Sequence, residues 1–325
     1  MTSFPVTAST LSAKELGVFI KNKYELNQNY QCELFRTGIN HTYFVGDGTS
    51  KYVLRVYTHN WRSKTEISQE IQLLNLLKKN SLGVSFPIKD KNGEFIQKIN
   101  APEGIRHAVL FSFAEGKKTR FIDKQTCFAI GVLMAKIHKV TLNQAIDRIT
   151  YDRDTLLNQP YEYLKPFFTE GLPEMQFIKK TSAEMDKVFQ KTNRNGIKNG
   201  IVHLDIWYDN LNVSDKQGIT IFDFDFCGNG WQVLDIAYFC KQLFHIEATK
   251  EVYEQKKNSF LSGYQSILKL SNDELKLIPE TGVAVFIFYL GVQAQRFDWS
   301  NIFLSENYLK MYVGKLKSWV EYHTH

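Results

Sequence analysis

Apolar and polar positions change rhythm once along this chain. Through the first third, short runs rich in β-branched and aromatic residues alternate with turn formers, at 31–36, 42–45, 52–57, 93–99 and 106–113. They predict an antiparallel sheet of about five strands, within the usual size range. Two helices are expected among them. One runs over 12–24 and opens on Ser12 with Glu15 three residues later. The other runs over 63–79, where Ile67, Ile71, Leu74 and Leu77 fall on one stripe. From residue 123 onward the period is helical. The segment 123–140 carries Phe128, Ile130, Val132, Leu133 and Ile137, and further helices are expected over 175–191, 248–269, 271–297 and 305–322. The apolar stretch 282–292 is too short to span a bilayer and predicts a core helix. The fold class expected is therefore α+β, with a sheet-bearing part over 1–113 and a mainly helical part over 114–325.

One segment breaks the helical rhythm. Leu211-Asn212-Val213 and Ile219-Thr220-Ile221-Phe222 read as two short strands, joined by the turn formers of 214–218. If alternation continues past the second strand, Asp223 and Asp225 share one face and Phe222, Phe224 and Phe226 the other. Upstream of this hairpin, Asp205 and Asn210 stand five residues apart, and Asp223 follows thirteen residues after Asn210. Magnesium prefers hard oxygen ligands and takes one or two protein carboxylates plus substrate phosphates. Asn210 and Asp223 meet that demand and are the candidate metal ligands. By itself the three-position pattern also arises by chance, and the Asp-bearing strand at the right distance is what gives it weight.

His203-x-Asp205-x4-Asn210 has the form of a kinase catalytic loop, His-x-Asp-x-x-x-x-Asn, in which the Asp engages the acceptor hydroxyl and the Asn a metal. With Gly228-Asn229-Gly230-Trp231 and Leu234-Asp235-Ile236-Ala237 behind it, the chain resembles the aminoglycoside phosphotransferase and choline kinase superfamily, nearest the homoserine kinase type II and stress response kinase A group. The specific part of the resemblance runs from His203 to Ala237. It implies a two-lobed protein-kinase-like fold, an antiparallel-sheet N-lobe carrying nucleotide contacts and a helical C-lobe carrying the catalytic loop. It further implies ATP and Mg2+ as cosubstrate and metal, GTP remaining open because the base is read through backbone. Asp205 would orient the acceptor hydroxyl and take its proton. Arg55 stands where the family has its phosphate-contacting lysine; arginine keeps the charge, but its planar fork makes the exchange non-conservative. Glu70, on the second helix, is its candidate partner, against the bland alternative of a solvated helix charge. Ser112, Phe113 and Ala114 would form the hinge that meets adenine. Gly38-Ile39-Asn40-His41 occupies the place of the phosphate-covering loop with a single glycine, and an ordinary hairpin turn is the better account. His203 is expected to brace the loop, and Asp235 to cap the following helix or tie it to the loop. His138 is expected in the core or at a helix end. Asp225 is left between a second metal, an acceptor amine and a hydrogen bond that braces the turn.

Composition changes the picture little. A chain of 325 residues buries a large core and divides naturally into two lobes. Cys32, Cys127, Cys227 and Cys240 show no metal spacing and predict free thiols in a reducing, cytoplasmic setting. The first twelve residues lack the basic start and apolar core of a signal peptide. The charge of +6 is spread along the chain, with mild basic clusters at 117–120 and 187–198; with no aromatic-interleaved basic stripe or nucleic-acid motif, a solvated face is expected and neither nucleic acid nor membrane as a partner. A positive chain suits a phosphorylated cosubstrate. The function expected is phosphoryl transfer to a small-molecule hydroxyl acceptor, such as an amino alcohol, a sugar-like compound or an antibiotic. Two alternatives stay open: a protein Ser/Thr kinase, and a catalytically weak nucleotide-binding module that Arg55 and the thin glycine loop would explain.

Overall fold

The computed structural model describes residues 4–296 and 301–324. The first three residues of the amino-terminal segment and residue 297, at the end of the helix expected over 271–297, lie outside the described residues. The chain divides into two compact units, Met1–Glu115 and Gly116–His325.

The first unit is built on β1 (Gln31–Thr37), β2 (His41–Gly46), β3 (Lys51–Val56), β4 (Ile96–Ala101) and β5 (Gly104–Ser112), in the spatial order β1-β2-β3-β5-β4 with every pair antiparallel. The fourth and fifth strands begin three residues later and two residues earlier, respectively, than β-propensity suggested at 93 and 106. Helix α1 (Ala13–Tyr24) starts where the Ser12 hydroxyl accepts the Glu15 amide at 3.4 Å. Helix α2 (Lys64–Lys79) starts on a reciprocal cap between Ser63 and Glu66, at 3.1 and 2.8 Å. Alternation along β3 decides what each face does. Leu54 and Val56 join Tyr43, Val45, Ala108 and Leu110 in a core closed by Leu16 and Ile20 of α1. Each such side chain contributes roughly 1.5–3 kcal/mol on burial. Arg55, between Leu54 and Val56 in sequence, pairs instead with Glu70 of α2. The β1–β2 connection is a hairpin turn, Thr37 facing His41 and the Gly38 amide donating to Asn40 O at 3.2 Å.

The second unit contains α3 (Lys124–Thr141), α4 (Gln159–Leu164), α5 (Pro173–Lys191), α6 (Val233–Ile246), α7 (Lys250–Gln265), α8 (Asn272–Gln295) and α9 (Glu306–Thr324). Two small antiparallel pairs lie among them: β6 (Asn199–Val202) with β9 (Gly228–Trp231), and β7 (Leu211–Ser214) with β8 (Gly218–Ile221). Helices α3 and α7 touch at reciprocal glycines. A Cβ on Gly131 would lie 2.1 Å from Phe260 O, and one on Gly263 would lie 2.1 Å from Phe128 O. Phe128 itself is exposed, contrary to the expected stripe; Cys127, Ile130, Met134 and Ile137 form the buried face of α3. Helix α8 has the length and apolarity of a membrane span, yet 72% of its apolar window is buried inside the protein, so it serves as a core helix. The β6–β9 pair was not expected. Its strand glycines hid it, and the reason for them is space: a Cβ on Gly228 would sit 2.5 Å from Ile149 O.

Candidate active site

Strand β6 delivers the chain into the 203–210 loop, and Asp235 in the first turn of α6 holds that loop in place. Its carboxylate is fully buried. One oxygen accepts the Leu204 amide at 2.6 Å; the other accepts the His203 amide and His138 Nε2, both at 2.9 Å. His138 continues the chain to the Tyr264 hydroxyl at 2.8 Å. Leu204 takes a left-handed backbone, φ 63°, a conformation that costs about 1–3 kcal/mol outside glycine and persists only when its surroundings over-determine it. Here they do, since Tyr289 donates to Leu204 O at 3.0 Å while Asp235 holds its amide. His203 braces the loop, as expected. Its Nδ1 accepts the Asp205 amide at 3.1 Å and its Nε2 donates to Phe222 O at 3.1 Å. Those partners define a neutral ring, and burial holds its pKa below the ordinary value.

The loop presents Asp205 with its two oxygens differently engaged. Oδ2 accepts the Asn210 side-chain amide at 2.7 Å, and that same nitrogen donates to Asp205 O at 3.0 Å. Oδ1 accepts the Tyr238 hydroxyl. Part of the residue meets solvent, but its carboxyl is surrounded by protein, and the lost hydration pushes it up to about 8. The Tyr238 hydrogen bond opposes that rise and the Asp223 charge adds to it. Burial, before the Asp205 charge, pushes the Tyr238 and Tyr289 phenols up.

Strand β8 ends at Ile221, and Phe222 is tied on both sides, its amide to Asn210 O at 3.0 Å and its carbonyl to His203. Asp223 then turns left-handed, φ 65°, into a single 3-10 turn over Phe224–Phe226. Alternation therefore stops before it reaches the carboxylates. Asp225 does not share a face with Asp223: it is 3% exposed, inside a turn whose carbonyls are held by Arg148 and Tyr151. Phe224 and Phe226 are buried as expected, while Phe222 is only half-buried.

Asp205, Asn210 and Asp223 are thus brought to one place by the loop, the β7–β8 hairpin and the bonds of His203 and Phe222. Among the described residues no three His, Cys, Asp or Glu side chains converge as a metal cluster. The donor set suits a different ion. Asn210 points its nitrogen at Asp205, and its side-chain oxygen takes no hydrogen bond among the described residues. One such oxygen and the Asp223 carboxylate could serve as the sparse, hard set that magnesium takes from a protein beside phosphate. At the rim, Lys118 pairs with Asp209 at 2.7 Å.

The first unit holds the other expected residues. Arg55 bonds Glu70 at 2.8 Å, and the Tyr57 hydroxyl holds the second Glu70 oxygen at 2.9 Å. The guanidinium lies over Phe111, 5.2 Å from the ring centre. Glu70 is a fully buried helix glutamate, not a solvated one. Ser112 ends β5 with both main-chain groups engaged, its amide on Phe86 O at 2.8 Å and its carbonyl on the Ser85 hydroxyl at 2.6 Å. Phe113 and Ala114 follow directly, where the strand has ended. Tyr238, Tyr289 and Lys241 belong to the site in space but were not foreseen. Tyr238 lies one helical turn after Asp235 and could have been inferred from that spacing; Tyr289, 84 residues after Asp205, leaves no sequence signal.

The profile of the phosphotransferase enzyme family (APH) matches residues 32–270. The chain belongs to this family. It is a phosphotransferase, a kinase of the kind that acts on small molecules, with the two-lobed α+β architecture expected of it. An uncharacterized protein of Synechocystis is 27% identical over 301 residues, 90% of this chain and 81% of the relative. A homoserine kinase of Bradyrhizobium diazoefficiens is 22% identical over 293 residues, 90% and 86% of the two chains. In fold, an amicoumacin kinase with AMP-PNP and Ca2+ superposes with a TM-score of 0.78 at 19% identity, covering 96% of this chain and 94% of that one. A microcompartment-associated aminopropanol kinase does so at 0.76 and 18%, covering 94% and 95%.

Proposed function

We propose that the protein transfers the γ-phosphoryl group of ATP, with Mg2+, to a hydroxyl of a small molecule. The observation that carries this reading is the Asn210 side chain, whose nitrogen orients Asp205 while its oxygen is left for a cation. Base and metal ligand are fixed against each other by one amide. Asp205 would orient the acceptor hydroxyl and take its proton as the oxygen bonds to phosphorus and ADP leaves. Asn210 and Asp223 would hold magnesium, which when bound neutralises charge on the transferring group. Arg55, set by Glu70, would face the phosphates, and the backbone of Ser112, Phe113 and Ala114 the base. Phosphoryl transfer asks chiefly for positioning and charge neutralisation, so few residues suffice. Four unpaired cysteines, three of them buried, fit the reducing cytoplasm.

The test is ADP release from Mg-ATP over a panel of amino alcohols, sugars and hydroxy acids, with Asp205→Asn beside the wild type. Transfer should fall at least about a thousandfold in the variant, while the melting-point rise with Mg-ATP is retained by mass action. Normal turnover by Asp205→Asn would refute the assignment.

A further inference from the structure

Lys241 lies on α6 one turn beyond Tyr238, and only 4% of it is exposed. Other cations of this unit that are buried or half-buried have oxygen partners: the buried Arg148 on Asp225 O, and the half-buried Lys198 on Glu274 and Lys256 on Glu247. Lys241 has neither a hydrogen bond nor an ion pair among the described residues. Its ammonium is surrounded by rings, 4.4 Å from the centre of Phe286, 4.8 Å from Tyr238 and 5.8 Å from Tyr289. Rings soften the burial of a cation but accept no strong hydrogen bond from it. Burial brings its pKa down to about 7; the Asp205 charge works against that fall and Lys315 with it. A second polar group in the same cluster is also unsatisfied. His245 lies one turn further along α6 against Phe286, and its Nε2 is buried without a partner.

The placement says which ligand meets this cation. Asn210, the metal-side residue, engages Oδ2 of Asp205; Tyr238, the Lys241-side residue, engages Oδ1. Tyr289, the third ring around Lys241, donates to the carbonyl of Leu204, directly before Asp205. Lys241 therefore stands on the flank of the catalytic carboxylate away from the metal ligand, where an acceptor and not the nucleotide phosphates would extend. One ammonium in an aromatic setting matches one negative charge.

We propose that Lys241 binds a carboxylate carried by the acceptor, so that the preferred substrates are small hydroxy acids, amino acids with a hydroxyl included, over amino alcohols and neutral polyols. This rests on the phosphotransferase reading of the Asp205 site. A carboxylate there supplies the missing acceptor for the ammonium, and the hydroxyl of the same molecule reaches Asp205.

Two matched pairs test it: glycerate against glycerol, and L-homoserine against 3-aminopropanol, each pair differing by a carboxylate. Expected is at least a tenfold higher kcat/KM for the carboxylated member, with Lys241→Met raising its KM at least tenfold and changing kcat less. A second measurement does not need turnover. Labelling of Lys241 by trinitrobenzenesulfonate, read by peptide mass, should slow at least fivefold with the carboxylated members and not with the others. Equal protection within the pairs, no protection by any member, or a preference for the carboxylate-free members would overturn the proposal. Failure of the Asp205 reading would appear separately, as turnover insensitive to Asp205→Asn or as no melting shift with Mg-ATP, whatever the labelling shows.

Discussion

His203 Nε2 donates to Phe222 O at 3.1 Å, and this bond joins the catalytic loop to the strand end that carries Asp223. The same ring accepts the Asp205 amide, so one neutral imidazole sets the spacing between the candidate base and a candidate metal ligand. His203→Ala should lower kcat about a hundredfold, because displacement of about 1 Å in reacting groups costs that much. Two backbone groups left unsatisfied should also reduce stability by about 1–3 kcal/mol each. Steady-state kinetics and urea unfolding of the variant check both parts.

Glu70 holds Arg55 by one oxygen and Tyr57 by the other. If Arg55 faces the nucleotide, Glu70→Gln should free the guanidinium from its setting and weaken nucleotide binding about tenfold. Titration calorimetry with Mg-ATP gives the constant. Unaltered affinity in a folded variant would make the pair a packing feature of β3 and α2 alone.

Two glycines make opposite predictions. Gly131→Ala places a methyl 2.1 Å from Phe260 O between α3 and α7 and should cost about 1–3 kcal/mol or more. Gly314, exposed on α9, would meet nothing within 4 Å, and Gly314→Ala should gain about 0.5–1 kcal/mol from helix propensity. Chemical denaturation of both variants tests the helix contacts directly.

Lys241 is placed at the expense of stability. Its pKa is about 7 folded against 10.5 in the open chain, so between those values the unfolded state binds more protons and stability rises with pH. Burial lowers this pKa most; the charges acting on it are Asp205 from the loop, which opposes the fall, and Lys315 from α9, which adds to it, while Lys241 in turn helps hold the neighbouring His245 low. Lys241→Met should therefore be more stable than the wild type by roughly 2–4 kcal/mol at about pH 7. That advantage should shrink as pH rises toward the open-chain value. Urea melts at about pH 7 and pH 9 measure the change, and a pH-independent difference would contradict it.

Much of the fold was legible because its signals are local. Helix starts at Ser12, Ser63 and Ser271 follow from side chains that cap their own first turn. The strands β2 and β3 follow from alternation, and Asp205, Asn210 and Asp223 from spacing in one loop and hairpin. Phe128 misled because an apolar residue on a helix does not reveal whether a neighbour covers it. The Asp223–Asp225 alternation failed because a left-handed residue ends the period, and nothing in the side chain of Asp223 announces that conformation.

The sequence by itself determined the alternating and helical segments, the caps and the order of the catalytic-loop residues, since each depends on neighbours a few positions away. Only the tertiary structure decided which loop amides Asp235 holds, that Tyr238 and Asn210 take opposite oxygens of Asp205, and that Lys241, 4% exposed, has no hydrogen bond or ion pair among the described residues. Those relationships join residues up to about a hundred positions apart, for example His138 with Asp235. Whether a buried charge is satisfied depends on which distant surfaces packing brings to it, and no local pattern records that.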